Sequence, residues 1–138
     1  MLNPDQFAEA MDIVNRSGEK LIKGSDVKKV FRAVGIRSWP LEELVTESEK
    51  REFGLERQGS IRHDEPLNTM QTYLHGPTVR KYMKNPPSKD PHSPGEPYLP
   101  WVYKAPRGSK WIEEGHHRIV ASRLRGDTST DVYEGYIE

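Results

Sequence analysis

The sequence predicts an α+β fold: an N-terminal helical subdomain, then a small mixed sheet with helices. Three observations predict it. Apolar residues recur at helical spacing through the first 52 residues. A strand–hairpin–strand–turn–helix–strand order can be read over residues 99–138. The eleven prolines and eleven glycines gather between these units rather than inside them. With 33% hydrophobic and 30% charged residues in 138, the core is small for the length, yet such a chain buries enough surface to fold alone.

Each element has a local cause. Asn3 can cap a helix whose first position is Pro4, and Phe7, Ala10, Met11 and Val14 give it an apolar stripe to about Asn15. Ser25-Asp26 is placed to cap a second helix, with Val27, Val30, Phe31 and Val34 on one side and Gly35 as its stop. Trp39-Pro40 opens a third through Leu41, Leu44 and Val45. Residues 1–52 thus form the helical subdomain, and 53–64, polar and punctuated by glycine, read as a connector. Residues 65–138 form the α/β core. In it Thr78 is expected to cap a short helix carrying Val79, Tyr82 and Met83, and Asn85 to Pro97 is a proline-rich loop. Leu99, Trp101 and Tyr103 alternate with Pro100, Val102 and Lys104 as one strand, and Arg107-Gly108-Ser109 turns into a second over Lys110–Glu114. Gly115 ends that strand, a helix runs from His117 or Arg118 to Gly126, and Asp131–Ile137 closes a βαβ-like end.

Composition excludes several classes of function. The chain has no cysteine, so disulfides, thiolate-bound zinc and thiol catalysis are ruled out. No apolar run approaches the ~18 residues of a membrane span, and the acidic, helix-patterned start is no signal peptide, so a cytoplasmic protein without a membrane partner is expected. Net charge is zero, which argues against a generic polyanion binder. Locally the balance differs: Thr78 to Gly126 holds ten Lys/Arg against four Asp/Glu, while the first 77 residues hold eleven against thirteen.

That positive segment contains Glu113-Glu114-Gly115-His116-His117-Arg118. A glycine between strand and helix lets backbone approach a ligand closely. The first amides of the helix have no intrahelical acceptor and sit at the positive end of its dipole, which suits phosphate. Arg118 can grip two oxygens, and His116 and His117 add donors. The combination predicts an anion site for a nucleotide phosphate or a nucleic-acid backbone.

The run Glu114-Gly115-His116-His117-Arg118-Ile119-Val120-Ala121-Ser122, followed by Gly126, resembles the (D/E)GHHRxxAA…G signature of ParB/sulfiredoxin-like domains, especially phage- or plasmid-encoded ParB-like proteins. Thr69-Met70-Gln71 with Val79 and Tyr82 resembles the segment that precedes their first core strand. The likeness spans about residues 65–138. It implies that Gly115, His116, His117 and Arg118 cradle the phosphates of a nucleoside triphosphate, CTP or ATP, with Mg2+. Glu113 or Glu114 would hold the magnesium or orient a water, and with His116 and His117 they would be the catalytic groups of a triphosphatase or nuclease. Further ligand contacts are expected from Gln71 and Thr78. Thr78 stands where sulfiredoxins carry a phosphate-reaching lysine, so Arg80 or Lys81 would substitute. His116 occupies the place of the sulfiredoxin cysteine, which excludes reductase chemistry. The partition proteins of this superfamily add further DNA-clamping parts after the core; with the chain ending at Glu138, no sliding clamp is expected.

Other schemes have less behind them. Ser109 and Ser122 lack an Asp-His pairing, and adjacent His116 and His117 diverge on a turn with no third ligand, so no protein-only metal site is expected. Trp101, Tyr103 and Trp111 read as core, with base stacking as the alternative. Two different functions stay open: a non-catalytic phage or plasmid accessory protein that binds a host or virion protein, and a DNA-binding regulator whose second helix offers Lys28, Lys29 and Arg32 to phosphates.

Overall fold

The computed structural model describes residues 3–39, 57–86, 99–105 and 108–136. These comprise helices α1 (Pro4–Arg16), α2 (Gly24–Ala33), α3 (Gly76–Lys84) and α4 (His116–Arg125). The strands are β1 (Leu21–Lys23), β2 (Ile36–Ser38), β3 (Arg57–Arg62), β4 (Leu67–Thr69), β5 (Tyr73–His75), β6 (Trp101–Lys104), β7 (Lys110–Glu114) and β8 (Ser129–Tyr136). The fold is α+β, with a helical N-terminal segment and a mixed six-stranded sheet ordered β2-β4-β7-β6-β8-β3; β1 and β5 form a separate antiparallel pair. No helix among the described residues is long and apolar enough to cross a membrane.

The helices cover one face of the sheet. Ala10, Val14, Val30, Phe31, Val79, Ile119 and Val120 meet Ile36, Ile61, Leu67, Val102, Ile112 and Val132 in one continuous core. On the other face Tyr103 and Trp111 are buried against Trp39 and Met70, their rings stacked 6.5 Å apart. Those two aromatics are therefore core, while Trp101, 36% exposed, packs on Tyr133.

Several local expectations are met and others corrected. Asn3 Oδ1 accepts from the N–H groups of Asp5 and Gln6, capping α1. The second helix starts earlier than Ser25-Asp26: β1 runs straight into it, Lys23 is its N-cap, and no capping side chain is used. Likewise α3 is capped from His75 with Pro77 in its first turn, and Thr78 Oγ1 instead meets His75 Nδ1 at 2.6 Å. Within the connector, residues 57–62 form β3, registered against β8 from Arg57↔Glu134 to Arg62↔Ser129. Polar composition hid this strand because only Ile61 of it belongs to the hydrophobic core. The N-terminal segment contributes β2, which pairs in parallel with β4, so residues before 52 and after 65 share one sheet. The chain's end is not βαβ: β7 is antiparallel to β6, and β6 is parallel to β8, so α4 links strands of opposite direction. The helix expected to open at Trp39-Pro40 and most of the proline-rich segment expected as a loop lie outside the described residues.

Three arginines bind the helices together at their carbonyl ends. Arg80 donates to Val14 O, Gly18 O and Ser17 Oγ behind α1. Arg123, 1% exposed, donates to Val34 O after α2 and to Arg62 O and Glu65 O beside β3. Arg125 reaches Tyr82 O near the end of α3. Each guanidinium satisfies carbonyls that the helix leaves open and sits at the negative end of its dipole.

Candidate functional site

The junction of β7 and α4 turns on Gly115, at φ +90° and ψ 28°. A side chain is excluded there twice over. The dihedrals are left-handed, and a Cβ would lie 2.6 Å from Pro100 Cβ, 2.7 Å from Pro100 Cα and 2.8 Å from Arg118 Nη2. The first intrahelical bond runs from Ile119 N–H to Gly115 O at 3.1 Å, and no side chain caps the helix. The turn therefore presents the amides that precede Ile119 at the positive end of α4.

The four residues after the strand divide their work. His116 turns inward: it is 7% exposed, with Nε2 2.5 Å from Thr69 Oγ1. Thr69 Oγ1 also accepts from Gln71 N–H at 3.0 Å, so one hydroxyl joins the imidazole to the end of β4. Burial first, and then neighbouring His117, lower the His116 pKa from 6.5 to about 4. His117 Nε2 accepts from the His75 N–H at 2.9 Å, a bond that only the ring unprotonated at Nε2 can make. Its pKa is lowered too, by burial and then by His75 and Arg118. Both rings are thus neutral near pH 7 and tied to β4 and β5; they fix the turn rather than lend it charge. Arg118, 7% exposed, folds back over Gly115 and carries the positive charge at the turn.

A cavity of about 240 Å³ opens here, walled by the turn from Glu113 to Arg118 and, from the α3 side, by Gln71, Thr78 and Tyr82. The structure brings together Glu113, Glu114, Gly115, His116, His117, Arg118, Gln71 and Thr78. Arg80 and Lys81 do not join them. Arg80 is committed to the end of α1, and Lys81 is exposed on α3 and does not line the cavity. A substitute for the sulfiredoxin-type lysine is therefore missing at both positions. Glu113 and Glu114 are exposed at the rim. Among the described residues no group of three or more His, Asp or Glu side chains could hold a metal ion.

A second cavity of about 280 Å³ continues along α4, sharing Tyr82 and Arg118 with the first and adding Leu99, Pro100, Ser122, Thr130 and Asp131. Tyr82 as a shared wall and Pro100 as the lid on Gly115 were not singled out as ligand contacts from sequence. Tyr82 stood in the helical stripe of α3, where an aromatic reads as core. Pro100 meets Gly115 only through tertiary packing. No protein-family model, curated protein or solved structure matches this chain.

Proposed function

We propose that the α4 turn binds a nucleoside triphosphate as its magnesium complex, phosphates at Gly115 and the nucleoside along α4. One observation carries the reading: an uncapped helix N-terminus, a left-handed glycine and a buried arginine line the same cavity. The resemblance of Glu114–Ser122 to the phosphate turn of ParB/sulfiredoxin-like domains points the same way.

Charge decides the form of the ligand. With both imidazoles neutral, the cavity sets one guanidinium against the two carboxylates of Glu113 and Glu114. A bare triphosphate would be repelled there, whereas one that brings its cation is not. Among the described residues there is no metal cage, so magnesium would be held jointly by phosphate oxygens and by Glu113 or Glu114 at the rim. The adjoining cavity suits the nucleoside: Tyr82, Leu99 and Pro100 are apolar walls, and Ser129 and Asp131 are polar ones, while Ser122 is already bonded to Asp127 and Thr130. The proposal is one of binding. His116 and His117 already use Nε2 on fixed partners, which argues against either as the general base.

Calorimetric titration of the full chain with each of the four ribonucleoside triphosphates, with and without Mg2+, tests it. Binding should require Mg2+, and Arg118→Lys, which keeps charge but loses the two-pronged grip, should weaken it about tenfold. Thr78→Val, a milder change on the opposite wall, should weaken it less. No heat with any of the four would overturn the proposal.

A further inference from the structure

At the far end of the sheet from β3, we infer that β2 and α2 form a docking groove for an extended acidic peptide, which would add as a strand beside β2. The inference stands apart from the nucleotide site. Among the described residues β2 is the terminal strand of the six. It pairs with β4 in the register Ile36↔Leu67, Arg37↔Asn68, Ser38↔Thr69. Leu67 N–H donates to Gly35 O, and Trp39 N–H donates to Thr69 O. In a parallel ladder those bonds assign the odd-numbered backbone of this strand to β4. The N–H and C=O groups of Ile36 and Ser38 therefore face away from the sheet. An edge of this kind is a template for another strand.

What lies beside that edge is a groove of about 610 Å³, walled by β2 itself, by Pro66–Asn68 and by Lys28 and Arg32 of α2. Arg37 joins them, its guanidinium 3.9 Å above the Trp39 ring and so held in place. Three cations from two elements line the groove, and among the described residues no carboxylate does. None of the three makes an ion pair among the described residues. Lys29, by contrast, is paired with Glu9 at 3.2 Å.

The backbone edge selects the class of partner. A phosphodiester strand offers acceptors, which the outward carbonyls of Ile36 and Ser38 would repel. A peptide strand offers donors and acceptors in alternation, matching that edge. Spacing agrees. Alternate side chains of an added strand recur every ~6.7 Å, and Lys28 and Arg32, four residues apart on a helix, are separated by ~6 Å along its axis. A segment with Asp or Glu at every second position would thus pair its backbone with β2 and its carboxylates with Lys28 and Arg32 on the helix-covered face, Arg37 lying on the opposite face over Trp39.

Nuclear magnetic resonance of the full, isotopically labelled chain tests this directly. The probe is a synthetic peptide of alternating Glu and Val, about eight residues long. On addition, amide exchange at Ile36 and Ser38 should slow, while that at Arg37, already inside the ladder, should not change. Lys28→Glu combined with Arg32→Glu, both exposed, should weaken binding by about tenfold or more. Ser38→Pro removes only an outward N–H and should weaken it with the spectrum otherwise intact. Unchanged exchange at Ile36 and Ser38, or equal binding of a Lys-for-Glu peptide, would overturn the inference. So would preferential binding of oligothymidylate that responds to the charge reversals but not to Ser38→Pro. If Ser38→Pro disrupts the fold, the exchange pattern and the charge reversals decide alone.

Discussion

Gly115 and Gly126 make a matched pair at the two ends of α4, and replacing each by alanine separates conformational strain from close packing. Their φ angles are nearly the same, +90° and +91°. Alanine in the left-handed region costs about 1 kcal/mol or a little more at either site. At Gly126 nothing lies within 4 Å of the added carbon, so that cost is the whole effect. At Gly115 the carbon would sit 2.6 Å from Pro100 Cβ and 2.7 Å from Pro100 Cα. Arg118, the third neighbour, can swing away, but a proline backbone atom cannot. Overpacking of this kind adds about 1–3 kcal/mol. Gly115→Ala should therefore destabilise by roughly 3 kcal/mol and Gly126→Ala by about 1 kcal/mol, a gap of roughly 6 °C in melting temperature for a chain of this size. Urea denaturation followed by the fluorescence of Trp39, Trp101 and Trp111 measures both. Equal losses would refute the reasoning, because Pro100 would then not be pressing on the turn. A larger loss at Gly126 would refute it more strongly.

Other outcomes follow from the same geometry. Because the folded His116 pKa, about 4, lies below the ordinary 6.5, the unfolded chain binds more protons in that interval. Stability is then fully present above pH ~6.5 and lost as pH falls toward 4, by roughly 3 kcal/mol from this group, with His117 acting in the same direction. Urea unfolding across that range should show it, and His116→Gln should flatten the slope. Arg123→Met leaves the carbonyls of Val34, Arg62 and Glu65 without their donor and should cost about 3 kcal/mol or more by thermal melting. Arg123→Lys should rescue only part of this, since one ammonium cannot span three acceptors on separate segments. Asn3→Ala removes a two-amide cap and should cost about 1 kcal/mol in the same assay.

Much of the site was legible in the residues because its chemistry is local. Gly115 through Arg118 are consecutive, so strand end, turn and helix start could be read together, and the structure assembles them with Gln71 and Thr78 around one cavity. The charge state was not legible. Donor histidines were expected at the turn. Contacts with Thr69 and the His75 amide, some forty-odd positions away, and burial make them neutral. Arg80 shows the same limit: one turn from the cavity in sequence, it is drawn to the end of α1 because a helix terminus there offers carbonyls that need a donor.

By itself the sequence determined the class of fold, the positions of α1 and α4, the hairpin before Gly115 and the absence of any thiol chemistry. These follow from periodicity, caps and composition, which act over a few residues. Tertiary structure alone decided that Arg57–Arg62 is a strand, that β2 is the terminal strand of the sheet among the described residues, and that β7 and β8 run in opposite directions. The reason is physical: three- and six-residue polar strands carry little pattern of their own, and their pairing is settled by whichever neighbouring backbone can satisfy their amides and carbonyls.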